Sequence, residues 1–200
     1  ATLDGRIIRT PFIKSPMLSR ILGCDLTLKL ENLQHTSSFK ARGAYMAMQA
    51  LDDAARQRGV ITMSAGNHAQ AVAYSAQKKR IPAYIVMPNN SPDVKIDAVK
   101  GYGANVTLCK PTLDARKTTL NEIAERTGAA VIHPFNNPNV IAGQGTAMRP
   151  GTEHRHVLHG RKENDTIHDE VGMRHFYEEW GNWMGRDPKN PMRENAVWEN

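Results

Sequence analysis

The chain has 200 residues, of which 40% are hydrophobic and 23% are charged, and its formal net charge is +6. This is the composition of an ordinary globular protein, and no apolar run approaches the roughly 18 residues that a membrane span needs. The basic residues are scattered rather than gathered into a stripe with interleaved aromatic residues, so nucleic acid and membranes are not expected as partners.

Cysteine usage indicates a reducing compartment. The chain contains only Cys24 and Cys109, and neither belongs to a Cys-x-x-Cys pair. This argues against a disulfide framework and against a cysteine-based zinc site. The first residues show no basic region that leads into an apolar stretch, so we expect a cytoplasmic protein.

The charge balance changes near residue 148. Residues 1–148 contain 18 basic and 10 acidic residues, whereas residues 149–200 contain 8 and 10 and hold all three tryptophans. Pro and Gly punctuate chains, and residues 148–151 read MRPG. We therefore expect an α/β region over residues 1–147 and an unrelated tail over residues 148–200, with one amphipathic helix at about 170–185.

Upstream of this boundary, period-two or continuously apolar runs predict strands, and apolar residues at helical spacing predict helices. In chain order, the sequence predicts a strand at 25–30, a helix at 39–51, a strand at 60–63, a helix at 69–77, a strand at 83–87, a helix at 93–100, a strand at 105–108, a helix at 115–126 and a strand at 129–132. Strands separated by single helices favour an α/β fold, with an open, mainly parallel sheet and flanking helices. Ligands of such folds gather at the carboxyl ends of the strands.

Lys40 stands out because it lies in the first turn of a predicted helix. It follows Phe39 and three hydroxyl residues, Thr36, Ser37 and Ser38, which can cap that helix. A helix N-terminus attracts anions, and a desolvated lysine can form a Schiff base with a carbonyl. A lysine taken by itself is most often solvated, so the interpretation depends on its companions.

Three blocks of sequence supply those companions. Residues 31–44 (ENLQHTSSFKARGA) resemble the pyridoxal-phosphate motif of the threonine dehydratase and serine racemase family, which are fold-type II enzymes. Residues 64–70 (SAGNHAQ) and residues 133–146 (HPFNNPNVIAGQGT) are similar to two further segments of that family, in the same order. With an N-terminal lead at residues 10–19, the resemblance covers residues 1–147.

The resemblance implies a site for pyridoxal 5'-phosphate. Lys40 would form the Schiff base and act as the base, Phe39 would lie against the cofactor ring, and Asn67 would bind the phenolic oxygen. Ser64 would cap the following helix, whose positive end suits a substrate carboxylate, and Gly66 would let the backbone approach the ring. The residues implied in substrate binding are Ser64, which is also a catalytic candidate, Ala65, Gly66, Asn67 and His68.

The implied reaction is the dehydration of a hydroxy amino acid, L-threonine or L-serine, to a 2-oxo acid and ammonia. The small amino acid would be the partner, and no metal is expected. Two alternatives stay open: serine racemase or β-replacement activity, and a partial fold without turnover. Exposed sheet edges and an apolar tail helix also favour self-association into a homo-oligomer.

The sequence departs from the family in several places. Ser37 replaces the usual glycine before SFK, Asn136 replaces the usual acid after HPF, and no two glycines are adjacent anywhere in the chain. The family cradles the cofactor phosphate with consecutive glycines, because backbone N–H groups bind phosphate well. We therefore expect a truncated or fused form of such an enzyme, with doubtful activity alone.

The tail predicts little chemistry. Its histidines His154, His156 and His159 are spaced as metal ligands could be, but their polar surroundings favour a solvated loop. Residues 173–185 form an amphipathic pattern and faintly resemble the C-terminal helix of a Rieske-type ring-hydroxylating dioxygenase large subunit. Such a stripe is typical of a packing face.

Overall fold

The structure is a computed structural model that describes residue 3 and residues 5–147. The predicted boundary at 148–151 and the predicted tail over 148–200 lie outside the described residues, with the helix at about 170–185 and the histidines at 154, 156 and 159. Among the described helices, none has the length and the apolar character that crossing a bilayer requires.

Strands and helices alternate along most of the described chain. The strands are β1 (Phe12–Lys14), β2 (Thr27–Lys29), β3 (Val60–Met63), β4 (Ala83–Pro88), β5 (Asn105–Cys109) and β6 (Ala130–Val131). The helices are α1 (Pro16–Leu22), α2 (Lys40–Gln49), α3 (Asp53–Arg58), α4 (Asn67–Lys79), α5 (Asp93–Gly101), α6 (Leu113–Thr127) and α7 (Pro138–Gly145). Short 3-10 turns at Glu31–Leu33 and His35–Ser37 lead into α2.

The main sheet is four-stranded and parallel, with the order β5-β4-β3-β6. Its inner strands are largely buried, as parallel strands covered by helices on both faces must be. This confirms the predicted α/β class, with an open parallel sheet and flanking helices. The predicted strands at 60–63, 83–87, 105–108 and 129–132 are all present.

Two apolar cores lie on the two faces of this sheet. Successive side chains of a strand point to opposite faces, so Ile85 and Met87 join one core and Val86 joins the other. Residues of α2, α4, α5 and α7 complete the first core, and Leu120 and Ile123 of α6 complete the second. Burial of these side chains stabilises the layers by roughly 1.5–3 kcal/mol for each large residue.

The predicted strand at 25–30 is present but lies outside the parallel sheet. Residues Thr27–Lys29 form β2, which pairs antiparallel with β1 in a separate two-stranded sheet. The registers join Phe12 to Lys29 and Lys14 to Thr27. The physical reason is visible in the burial: β1 is exposed throughout and β2 is only partly buried, whereas an inner parallel strand is covered on both faces.

Because β3 and β6 are neighbouring parallel strands, the loops that follow them lie at the same edge of the sheet. β3 ends before residues 64–66, which lead into α4, and β6 ends before residues 132–137, which lead into α7. Helix α2 packs against α4 and α7. Its approach to α7 is close, since a Cβ added at Gly143 would lie 2.5 Å from the Cα of Gly43. This packing fixes the start of α2 relative to both helices.

Candidate active site

Lys40 is the first residue of α2, one position after the predicted start of this helix. The three hydroxyl residues offered as caps do not occupy the N-cap position of α2, which belongs to Phe39 and has no side-chain cap. Ser38 contributes next to it, because its Oγ accepts a hydrogen bond from the Lys40 N–H at 3.1 Å. Thr36 and Ser37 instead have φ values of 58° and 50°, in the left-handed region that L residues seldom adopt. The lysine therefore begins a helix whose start is held by the Ser38 hydroxyl and follows two strained residues.

The Lys40 amine is held by the backbone. Its Nζ donates to the Pro134 carbonyl oxygen at 2.8 Å and lies 5.2 Å from the centre of the Phe39 ring. Among the residues that the structure describes, no carboxylate pairs with it. Burial disfavours the ammonium, so the pKa of Lys40 is lowered from its usual value. A larger share of the amine is consequently neutral near neutral pH, and the neutral amine is the nucleophile.

Two histidines share this environment. His68, in the first turn of α4, is buried with 3% of its surface exposed, and its Nε2 lies 3.0 Å from the Ile132 carbonyl oxygen. Burial first, and then the positive charge of Lys40, lower the pKa of His68 to about 4. Burial and the same charge also lower the pKa of His133. Both rings are therefore favoured in the neutral form beside the lysine.

The loop after β3 differs in detail from its prediction. The N-cap position of α4 belongs to Gly66, and no side chain caps the helix. Ser64, which was expected to cap α4, instead accepts from the Gly66 N–H through its Oγ at 3.3 Å. The reason is the position of the helix start, which begins at Asn67, too far along for Ser64 to reach as a cap. The N–H groups of the first turn of α4 are thus available to an anion.

Gly66 and Asn67 face open space. A Cβ built on Gly66 would meet nothing within 4 Å, so the space beside this backbone is free for a planar group. Asn67 is exposed, and its amide forms no hydrogen bond with any described residue. Phe39 likewise leaves 37% of its surface exposed. These groups could hold a flat, polar ligand.

The structure brings some predicted residues together more directly than others. Lys40 reaches the end of β6, through Pro134, and His68 reaches the same segment, through Ile132. The loop with Ser64, Ala65, Gly66 and Asn67 follows the neighbouring strand β3. The carboxyl ends of adjacent parallel strands share an edge, which is where α/β folds bind ligands.

Sequence reasoning missed the partners supplied by the backbone. Nothing in the chain marks the Pro134 and Ile132 carbonyls as partners of Lys40 and His68. The available signal was positional, because residues 133–138 follow a strand that was already predicted.

A largely buried ion pair between Arg42 and Glu31 was also not predicted from the sequence. Arg42, one turn into α2, donates from Nε and Nη2 to the two carboxylate oxygens of Glu31, both at 2.7 Å. Its Nη1 donates to the Thr146 carbonyl oxygen at 3.2 Å, and Thr10 donates to Glu31. Burial alone would raise the pKa of Glu31, but hydrogen bonds from Arg42 and Thr10 outweigh it and lower that pKa. This network ties the segment before α2 to the end of α7.

Comparisons with known proteins are consistent with this geometry. A sequence model of the family described as "Pyridoxal-phosphate dependent enzyme" matches residues 3–149. Serine racemase of Dictyostelium discoideum is 45% identical over 145 residues, which are 72% of this chain and 45% of that protein. L-threonine ammonia-lyase of Thermotoga maritima is 48% identical over 145 residues, covering 72% of this chain and 36% of that protein.

Solved structures show the same likeness in three dimensions. The crystal structure of the D. discoideum serine racemase aligns with a TM-score of 0.70 and 43% identity, over 73% of this chain and 48% of that one. The chain thus spans less than half the length of these relatives. The resemblance of residues 173–185 to a ring-hydroxylating dioxygenase has no support in these comparisons, and those residues lie outside the described part of the chain.

Proposed function

Because the chain belongs to the family of pyridoxal-phosphate dependent enzymes, we propose that it catalyses the dehydration of a hydroxy amino acid, L-threonine or L-serine, to a 2-oxo acid and ammonia. One observation carries the proposal: the Lys40 amine is partly buried, has a lowered pKa, and is held by the Pro134 carbonyl rather than by a carboxylate. A lysine in this state suits covalent chemistry with a carbonyl better than ion pairing.

The described residues fit the ring end of pyridoxal 5'-phosphate. Lys40 offers the amine, Phe39 offers an exposed aromatic face, and Gly66 opens onto space that a side chain would otherwise fill. Asn67 offers an amide with no other described partner, which suits the phenolic oxygen. We assign no residue to the phosphate, since the chain contains no adjacent glycines.

Bound cofactor would supply the electron sink that makes loss of the substrate α-proton feasible. The chain itself would supply binding, orientation and proton transfer. In this proposal the Ser64 hydroxyl and the N–H groups of Ala65, Gly66, Asn67 and His68 orient the substrate, with its carboxylate at the positive end of α4. The Lys40 amine then takes the α-proton, which its pKa, lowered by burial, favours by increasing the share of neutral amine.

A racemase is the second candidate, and the identity to the D. discoideum serine racemase favours it. Racemisation begins with the same proton removal and ends with return of a proton to the opposite face, so Lys40 would serve both reactions. β-Replacement would also use Lys40. The remaining alternative is a partial fold that binds the cofactor weakly and does not turn over.

Cofactor capture tests the proposal. Purified chain is mixed with pyridoxal 5'-phosphate, the near-visible absorbance of a lysine-linked cofactor is recorded, and borohydride reduction followed by peptide mass spectrometry locates the modified lysine. We expect modification at Lys40, its loss in Lys40→Ala, and its retention in Lys95→Ala, which removes an exposed lysine of α5. An unmodified Lys40 at millimolar cofactor would overturn the enzymatic proposal.

Product analysis then separates the candidates. The loaded protein is incubated with L-threonine and with L-serine, and 2-oxo acid, ammonia and D-amino acid are measured together. 2-Oxo acid and ammonia in equal amounts support dehydration, D-serine supports racemisation, and labelled Lys40 without any product supports the partial fold. A thiol product formed from serine and sulfide would indicate β-replacement.

We also propose a cytoplasmic location and self-association. Cys24 and Cys109 are both free, which is consistent with a reducing compartment. Self-association is favoured by α1, which has no buried residue and exposes Met17 and Ile21 on one face, one helical turn apart. Exposed apolar patches of this kind often mark interaction sites.

A further inference from the structure

The side chain of His68 forms a buried hydrogen bond with the Ile132 carbonyl. Its ring lies in the first turn of α4, directly after Asn67, and 3% of its surface is exposed. The Ile132 carbonyl can only accept a hydrogen bond, so the proton must be on Nε2, which lies 3.0 Å from that oxygen. Nδ1 is then an acceptor, and it is buried without a partner among the described residues. A single hydrogen bond therefore orients the ring.

The Ile132 carbonyl, which accepts from His68, belongs to the same backbone segment that binds the Lys40 amine. The Ile132 N–H donates to the Ile61 carbonyl of β3 at 2.8 Å, which ties the residue to the sheet on one side. Its own carbonyl is tied to His68, and two residues later the Pro134 carbonyl accepts from Lys40 Nζ at 2.8 Å. The backbone that holds the amine is thus anchored by β3 and by His68.

We propose that His68 is a positioning residue for Lys40: by donating from Nε2 to the Ile132 carbonyl, it fixes the 132–134 backbone so that the Pro134 carbonyl holds the lysine amine. The inference rests on the proposed role of Lys40 as the cofactor lysine. It differs from a simple packing role, because packing needs only an apolar side chain of similar volume, whereas positioning needs a hydrogen-bond donor at the place of Nε2.

Mutation can separate the positioning role of His68 from an electrostatic effect on Lys40. The charge of Lys40 acts on His68 from α4 and on His133 from the segment after β6, whereas burial is what lowers the pKa of Lys40 itself. His68 is neutral well above its pKa of about 4, so replacing it by an uncharged side chain leaves the charge around Lys40 unchanged. Any change at Lys40 must then come from the position of the backbone and the access of water.

The test uses the cofactor-free protein. Lys40 acetylation by limiting acetic anhydride is followed from neutral to alkaline pH by peptide mass spectrometry, with exposed Lys95 as the internal reference. In wild-type protein we expect the midpoint for Lys40 to lie below that for Lys95. His68→Gln keeps a donor near the Nε2 position and should retain the wild-type midpoint.

His68→Leu keeps the volume and loses the donor. Without the donor, the Pro134 carbonyl moves away from the Lys40 amine. Water then accepts from the amine in its place and hydrates the ammonium form. The midpoint of the pH dependence of Lys40 acetylation should therefore rise towards that of Lys95. Ser75→Ala, which changes another fully buried polar residue of α4, is the matched control and should leave the midpoint unchanged. If His68→Leu does not fold, His68→Asn, whose shorter amide does not reach Ile132, replaces it in the comparison.

Cofactor capture gives the second readout. In folded variants without the donor, the rate of borohydride-trappable capture at Lys40 should fall on the order of tenfold to a hundredfold, while His68→Gln stays near wild type. Equal midpoints for wild type and the folded donor-free variant, or equal shifts for Leu and Gln, would overturn the proposal. The acetylation result decides the role of His68 even if the wild-type chain captures no cofactor, in which case only the proposed function fails.

Discussion

Arg42 and Glu31 form a bidentate ion pair, in which Arg42 Nε and Nη2 each lie 2.7 Å from one carboxylate oxygen of Glu31. Arg42 follows Lys40 by two positions in α2. The two residues of the pair are 11 positions apart in sequence: Glu31 begins the turns that lead into α2, and Arg42 lies in the first turn of α2. The planar guanidinium matches the carboxylate, a geometry that a lysine cannot reproduce. The pair therefore fixes the approach to the lysine as well as the helix that carries it.

Removing one partner should be costly. In Arg42→Ala, the largely buried Glu31 carboxylate loses both charged hydrogen bonds from the guanidinium and keeps only Thr10 and the charge of Lys29. We therefore expect the free energy of unfolding to fall by about 3 kcal/mol, the lower end of the range for a buried pair. Urea denaturation followed by circular dichroism measures this. The matched control is Arg56→Ala, which removes the exposed pair with Asp53 and should change stability by less than about 1 kcal/mol. Equal losses in the two variants would contradict the buried role.

The close packing of α2 on α7 makes a second prediction. A Cβ at Gly143 would lie 2.6 Å from the Arg42 carbonyl oxygen, and a Cβ at Gly43 would lie 2.7 Å from the Val140 carbonyl oxygen. Backbone atoms cannot step aside as side-chain ends can. Gly143→Ala should therefore lower the midpoint of urea unfolding, at a cost of roughly 1–3 kcal/mol.

Gly101→Ala is the control for this experiment. Gly101 ends α5, and a Cβ there would meet nothing within 4 Å. This substitution should leave stability unchanged or raise it slightly, since alanine favours helix. If both alanine variants unfold at the same urea concentration as wild type, the helices are not in the close contact that the structure describes.

Much of this arrangement could be predicted from the sequence, because local patterns report local requirements. β3 and β4 are buried on both faces, so their apolar runs stand out, and α4 is rich in small apolar residues at helical spacing. The hydroxyl residues before Lys40 predicted the start of a helix there, although the N-cap is Phe39 and Ser38 only accepts from the Lys40 N–H. The motif at residues 64–70 identified the loop after β3.

The rest depended on partners distant in sequence. β1 is three residues long, too short for a clear period, and its antiparallel pairing with β2 follows from tertiary structure. The partner of Lys40 is a carbonyl 94 residues away, and the partner of Arg42 at Thr146 is 104 residues away. Every residue carries such a carbonyl, so residue types alone do not reveal which one is used.

Ser37 offers a stabilising substitution. Its φ of 50° lies where glycine is free and other L residues are strained by about 1–2 kcal/mol. Replacing it with glycine relieves that strain but increases the entropy of the unfolded chain, so Ser37→Gly should gain roughly 0.5–1 kcal/mol. Ser38→Ala should have the opposite effect and lose about 1 kcal/mol, because it removes the hydroxyl that accepts from the Lys40 N–H. In thermal unfolding, the melting temperature should rise for Ser37→Gly and fall for Ser38→Ala.

Stability should depend on pH through His68. Its pKa falls from 6.5 to about 4 on folding, so between these values the unfolded chain binds more protons than the folded one. The stabilising contribution is thus fully present above pH 6.5 and is lost as pH falls towards about 4. His133, whose pKa is also lowered, adds to the same window. We expect the wild-type urea midpoint to fall across this range and that of His68→Gln to fall less steeply.

The apolar face of α1 allows a direct test of self-association. Met17 and Ile21 expose 67% and 69% of their surfaces, and they lie one turn apart on the same side of the helix. Burying such side chains between copies would release about 25 cal/mol per Å² of apolar surface. Light scattering across a concentration series should show a larger assembly in wild-type protein and a smaller one in Met17→Lys/Ile21→Lys.

The control for that experiment must be equally apolar and equally exposed. Val94 of α5 exposes 74% of its surface, so Val94→Lys adds a positive charge at an exposed apolar site outside α1. If α1 forms the contact, Val94→Lys should retain the wild-type mass and the α1 double variant should not. If all three proteins have the same mass, the α1 face does not mediate self-association. If Val94→Lys also dissociates, added charge rather than the identity of the face explains the change.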